Sequence, residues 1–79
     1  MLVEIYGKEG CSFCEKALTF AKTKSNFSIE YVDLTKGDAS VSDLVERVGV
    51  PIKSVPQIFV DGEYIGGFTE FYDKFKGPN

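Results

Sequence analysis

Three stretches of this chain carry apolar residues at the spacing of one buried helical face, and strand-like runs separate them. The first stripe is Cys14, Ala17, Leu18 and Ala21, the second Val41, Leu44, Val45 and Val48, the third Phe68, Phe71, Tyr72 and Phe75. The middle helix is expected to open at Ser40, with Asp43 as its capping-box partner, and to stop at Gly49 and Pro51. Leu2 to Tyr6, Ile29 to Leu34, Gln57 to Val60 and Glu63 to Ile65 read as strands, and Asp61-Gly62 between the last two suits a type I′ hairpin turn. The expected order is β-α-β-α-β-β-α, an α/β fold with three helices on a four-stranded mixed sheet. Its opening β-α-β is parallel with a right-handed crossover, and the hairpin adds two antiparallel strands. Gly77-Pro78-Asn79 reads as a loose tail.

Seventy-nine residues hold one domain, 1–79, close to the smallest that a single core stabilises unaided. Seven Phe and four Tyr supply material for that core. A net charge of −3 speaks against nucleic acid as a partner, and no apolar run approaches membrane-spanning length. Met1-Leu2-Val3-Glu4-Ile5 lacks the basic segment and long apolar stretch of a signal peptide, so a cytoplasmic location is expected. With no histidine in the chain, imidazole metal sites and Cys–His or Ser–His nucleophile pairs are excluded.

In a reducing compartment two cysteines three positions apart are more often catalytic or metal-binding than a structural disulfide. Cys11 and Cys14 follow a strand and the short loop Gly7 to Gly10, and they open the first helix. The unpaired N–H groups and positive dipole end of a helix N-terminus favour a thiolate there, and Lys8 adds nearby positive charge. Cys11, ahead of the helix, is expected to be exposed and to act as nucleophile. Cys14, on the apolar face with Ala17 and Leu18, is expected to be half-buried and to resolve the mixed disulfide. Two other readings compete at this point: a structural zinc, of which the chain could supply only half the ligands, and a pair of inert packed cysteines.

Ile5-Tyr6-Gly7-Lys8 with Cys11-Ser12-Phe13-Cys14, then Ser54-Val55-Pro56-Gln57-Ile58-Phe59-Val60-Asp61-Gly62, then Tyr64-Ile65-Gly66-Gly67-Phe68, closely resemble glutaredoxins across almost the whole chain. The resemblance implies a thioredoxin-like fold and a dithiol oxidoreductase that takes electrons from glutathione and maintains cell redox balance. It implies that Pro56 is the family's cis-proline, presenting the Val55 backbone to an extended ligand. It assigns glutathione contacts to Lys8, Phe13, Lys53, Ser54, Val55, Pro56, Gly67, Phe68, Thr69 and Glu70. In that assignment Phe13 forms an apolar wall, the lysines face carboxylates, and the third helix, beginning at Thr69-Glu70, receives the γ-glutamyl carboxylate on its amides. Thr69 can serve at the same time as that helix's N-cap.

The chain departs from the family's pattern in several places. Ser12 stands for the usual proline, Phe13 for tyrosine, Ser54 for threonine and Glu70 for the aspartate of many members. The loop Val50-Pro51-Ile52-Lys53 is longer than in many cellular members, as in some phage-type glutaredoxins. The resemblance implies a monomer with no permanently bound cofactor, acting on protein disulfides such as that of ribonucleotide reductase. Ser12 leaves open a [2Fe–2S] cluster bridging two protomers through Cys11 and glutathione. A dithiol donor reduced by thioredoxin reductase is the third alternative.

Overall fold

The computed structural model of the chain describes residues 1–36, 38–52 and 54–77, the side chains of 38–40 excepted. In chain order the elements are β1 (Leu2–Gly7), α1 (Ser12–Lys22), β2 (Ser28–Asp33), α2 (Asp38–Val48), β3 (Gln57–Val60), β4 (Glu63–Gly66) and α3 (Phe68–Phe75). The strands lie in the order β2-β1-β3-β4, with β1 parallel to β2 and antiparallel to β3, and β3 antiparallel to β4. This is the expected α/β arrangement. Asp61 and Gly62 both take positive φ, 51° and 85°, as a type I′ turn requires, and the hairpin closes with Val60 opposite Glu63. Asp61 also ties the turn to β1. Its Oδ1 accepts from the Leu2 amide at 2.8 Å, and its own amide donates to the Leu2 carbonyl at 2.8 Å.

The two-residue period of the strands sorts side chains onto two faces. Val3 and Ile5 of β1 and Ile58 and Val60 of β3 point to one face, where Ala17 and Ala21 of α1 and Phe71 of α3 cover them. Tyr6 and Phe59 point to the other, where Leu44 of α2 meets them. An aromatic layer fills the first face: Phe71 packs edge-on against Phe20 at 5.5 Å and beside Phe27 and Phe75 at 6.2 and 5.5 Å.

The α2 side departs from expectation in two ways. The helix begins at Asp38, so Ser40 lies inside its first turn and not at its cap. The apolar stripe starts at Val41, a turn after the backbone helix does. The stripe is also only half covered. Leu44 is fully buried, but Val41 and Val45 are 41% and 37% exposed, since α2 alone serves this face while α1 and α3 share the other.

A polar clamp supplements that thin contact. Arg47 of α2 pairs with both carboxylate oxygens of Glu4 on β1 at 3.0 Å, donates to the Tyr6 hydroxyl at 2.8 Å and lies 3.8 Å from the Phe59 ring centre. The bond to Glu4, aided by Tyr6, holds the guanidinium charged. Replacing Arg47 by alanine is expected to lower stability by about 1–2 kcal/mol, through the lost bidentate pair and ring stacking. Lysine should recover little of it, having neither the fork nor the planar face. Urea unfolding of the three proteins checks this.

Candidate active site

The loop after β1 delivers Cys11 in extended conformation (φ −96°, ψ 111°) as the N-cap of α1. A capping residue offers a side-chain acceptor to the first free amides of the helix, and here the acceptor is sulfur: Cys11 Sγ receives the Cys14 N–H at 3.2 Å. That bond fixes the sulfur at the N-terminal end of α1, facing the free amides of its first turn. Its other neighbour is the Val55 carbonyl, 3.8 Å from Sγ across the groove mouth. The Val55-Pro56 peptide bond is cis, as the resemblance implies.

Both cysteines are free thiols but differ in exposure. Cys11 is partly exposed. Cys14 is fully buried rather than half-buried, because α1 lies flat on β1 and its third residue faces the sheet. Burial first, and then the Cys11 side chain, push its thiol up to about 11, while a backbone bond from Lys8 and the Tyr31 hydroxyl act the other way. Gly7 makes room for this packing: a Cβ built there would meet the Tyr31 hydroxyl and lie 2.8 Å from Cys14 Sγ. Iodoacetamide at neutral pH is therefore expected to label Cys11 alone. Cys14 should react only as the pH nears 11 or the chain unfolds, which mass spectrometry after digestion would reveal.

Beside Cys11 a groove of about 210 Å³ is lined by Phe13, Ser54, Val55, Pro56, Gly67, Phe68, Thr69 and Glu70. These come from three separate parts of the chain: the first turn of α1, the loop before β3 and the start of α3. Phe13 is 52% exposed and forms one wall, its ring 6.2 Å from that of Phe68. Lys8 is exposed and does not line the groove. Lys53 lies outside the described residues.

The start of α3 differs from expectation. The helix begins at Phe68 with Gly67 as N-cap, so Thr69 is its second residue and cannot cap it. The Glu70 carboxylate is the reason. Its Oε1 accepts the Gly67 amide at 2.8 Å and folds the helix entrance back two residues earlier. The same bond draws the Glu70 carboxylate to the rim of the groove.

Three positioning residues escape the sequence reading. Gln57, buried at the start of β3, donates to the Ser54 carbonyl at 2.7 Å and accepts from the Tyr64 hydroxyl, so it holds the loop that carries Val55. A polar residue opening an apolar strand was its only signal. Lys16 places its ammonium 5.0 Å from the Phe13 ring centre, one helical turn on. Tyr31 reaches Cys14 from β2, a contact that no local spacing reveals. A larger hollow of about 570 Å³, lined by Val48, Val50, Pro51, Ile52, Ser54, Gln57 and Tyr64, lies beyond Ser54 and away from the sulfurs. No cluster of three or more metal-ligating side chains occurs among the described residues, nor any helix long and apolar enough to cross a membrane.

The family model for glutaredoxin matches residues 3–65. Glutaredoxin 1 of Escherichia coli is 40% identical over 75 residues, covering 90% of this chain and 88% of its own. The NMR structure of oxidized E. coli glutaredoxin is similar with a TM-score of 0.80 at 36% identity, covering 96% of this chain and 94% of that one. Buckwheat glutaredoxin, solved as a glutathione complex, shares the fold with a TM-score of 0.76 at 21% identity, covering 94% of this chain and 67% of its own.

Proposed function

Since this chain belongs to the glutaredoxin family of thiol–disulfide oxidoreductases, we propose that glutathione is its reductant and that Cys11 is its nucleophile. The observation that carries this reading is the placement of Cys11 Sγ at a helix N-cap beside a groove of eight residues drawn from three parts of the chain. The relative solved with glutathione supports the identity of the ligand.

Cys11 thiolate attacks the glutathione sulfur of a mixed disulfide. The new Cys11–glutathione bond forms as the old S–S bond breaks, and the substrate leaves as a thiolate that takes a proton from water. A second glutathione thiolate then attacks the bound glutathione sulfur, releasing glutathione disulfide and restoring Cys11. With a protein disulfide, Cys14 loses its proton and attacks Cys11 Sγ. The substrate is released reduced, and the Cys11–Cys14 disulfide that remains consumes two glutathiones. Ribonucleotide reductase is a protein of the kind that such a donor would serve.

In the groove, the Val55 backbone pairs with the extended tripeptide and Phe13 covers its apolar side. The free amides at the start of α3 take the γ-glutamyl carboxylate. Lys8 and Lys16 supply positive charge nearby on a chain whose net charge is −3, and Lys53 directly precedes Ser54 in the sequence. Reduction of a glutathionylated peptide, coupled to glutathione reductase, tests the reading: steady turnover with glutathione is expected. Turnover only with thioredoxin reductase would replace it with a dedicated dithiol donor. A brown, dimeric, inactive preparation would replace it with a cluster carrier.

A further inference from the structure

We infer that Tyr31 is the hydrogen-bond donor that holds the Cys14 sulfur while it resolves the mixed disulfide. The inference rests on the reading in which Cys14 is the resolving thiol. Tyr31 lies on β2 in register with Ile5, so its ring packs against the core below α1. Its hydroxyl and Cys14 Sγ converge on Gly7, where a Cβ would strike both. The hydroxyl and the sulfur therefore lie side by side at that point, with the phenol O–H placed to act on the sulfur. The titratable groups around the hydroxyl are Cys14 from α1, Cys11 at the N-cap of that helix and Asp33 from its own strand. With no histidine in the chain, no imidazole can serve the buried sulfur.

Cys14 can attack only as a thiolate, and burial opposes that charge. Burial also pushes the Tyr31 hydroxyl up, so at neutral pH the phenol keeps its proton and is available as a donor to the sulfur. In the step itself the Cys14 proton passes to water. The Cys14 electron pair forms the Cys11–Cys14 bond as the Cys11–substrate bond breaks, and the substrate thiolate departs. In the reverse sense, when glutathione opens the Cys11–Cys14 disulfide at Cys11, the same O–H receives the departing Cys14 thiolate.

The experiment compares two reactions in wild type, Tyr31→Phe and Cys14→Ser. Reduction of a glutathionylated peptide needs Cys11 alone, whereas reduction of a peptide with an internal disulfide also needs Cys14. Tyr31→Phe is expected to slow the second reaction about tenfold and to move its pH profile about one unit to the alkaline side. It should leave the first reaction within about twofold. Equal rates in both reactions, or an equal fall in both, would overturn the assignment, the latter marking Tyr31 as merely structural. If wild type and Cys14→Ser reduced the internal disulfide equally well, the resolving role itself would fail, and the Tyr31 role with it. In the unmutated chain, the NMR signal of the Tyr31 hydroxyl-bearing carbon should move when the Cys11–Cys14 disulfide forms, and that of Tyr72 should not. An unmoved Tyr31 signal would equally overturn the proposal.

Discussion

Cys11→Ser is expected to lower the rate of peptide deglutathionylation about a thousandfold or more, while Cys14→Ser stays within a few-fold of wild type. The difference follows from where the two sulfurs lie. Cys11 is the partly exposed thiol, its Sγ receives the Cys14 amide at 3.2 Å, and it faces the Val55 carbonyl at the groove. A serine hydroxyl in its place would be almost wholly protonated at neutral pH and a far weaker nucleophile than the thiolate. Cys14 is fully buried and protonated, so it takes no part when glutathione itself carries the reaction forward. It matters where a protein substrate must be released without a second glutathione reaching the mixed disulfide. Internal disulfides should therefore be reduced far more slowly by Cys14→Ser. The two variants against the two substrates separate nucleophile from resolving thiol, and equal loss in both variants would remove the division of labour.

Phe71→Ala is the substitution expected to cost most in stability, about 3–5 kcal/mol. Phe71 is fully buried at the centre of the α1–α3 layer, where it touches Phe20, Phe27 and Phe75. Three rings would lose their common partner, and neither flat helix can sink far enough to close the cavity. A chain of 79 residues is expected to have only about 4–12 kcal/mol of stability in all, so a large unfolded fraction at physiological temperature is expected. Tyr72→Ala, at a position 42% exposed on the same helix, should cost no more than about 1 kcal/mol and so controls for helix propensity. Thermal and urea unfolding of both variants decide the matter.

The regular parts of this fold were legible because they depend on short-range periodicity. The alternation Val3-Glu4-Ile5 and the stripe Cys14, Ala17, Ala21 each commit a face locally, and Asp61-Gly62 commits the hairpin. The residues around the groove were legible through resemblance, since nothing in the spacing of Phe13, Val55 and Thr69 says that they meet. What depended on long-range packing was harder to read. The α2 stripe reads as four buried residues, yet a single helix on that face leaves Val41 and Val45 in water. The third helix reads as capped by Thr69, but a side-chain bond from Glu70 to Gly67 moves the cap. The Arg47–Glu4 clamp joins residues 43 apart, and Tyr31 meets Cys14 only because β2 returns parallel to β1. Charged and aromatic side chains of this kind give no periodic signal, so their partners emerge only with the topology.

The most direct test of the central claim is the amide NMR spectrum of Cys14→Ser before and after a single glutathione is attached to Cys11. Shifts at Val55, Gly67, Phe68 and Thr69, together with the Phe13 ring, would place the tripeptide in the groove between the Pro56 loop and the start of α3. Shifts confined to the immediate neighbours of Cys11, or centred instead on Ile52 and Tyr64 in the larger hollow, would contradict the glutathione site.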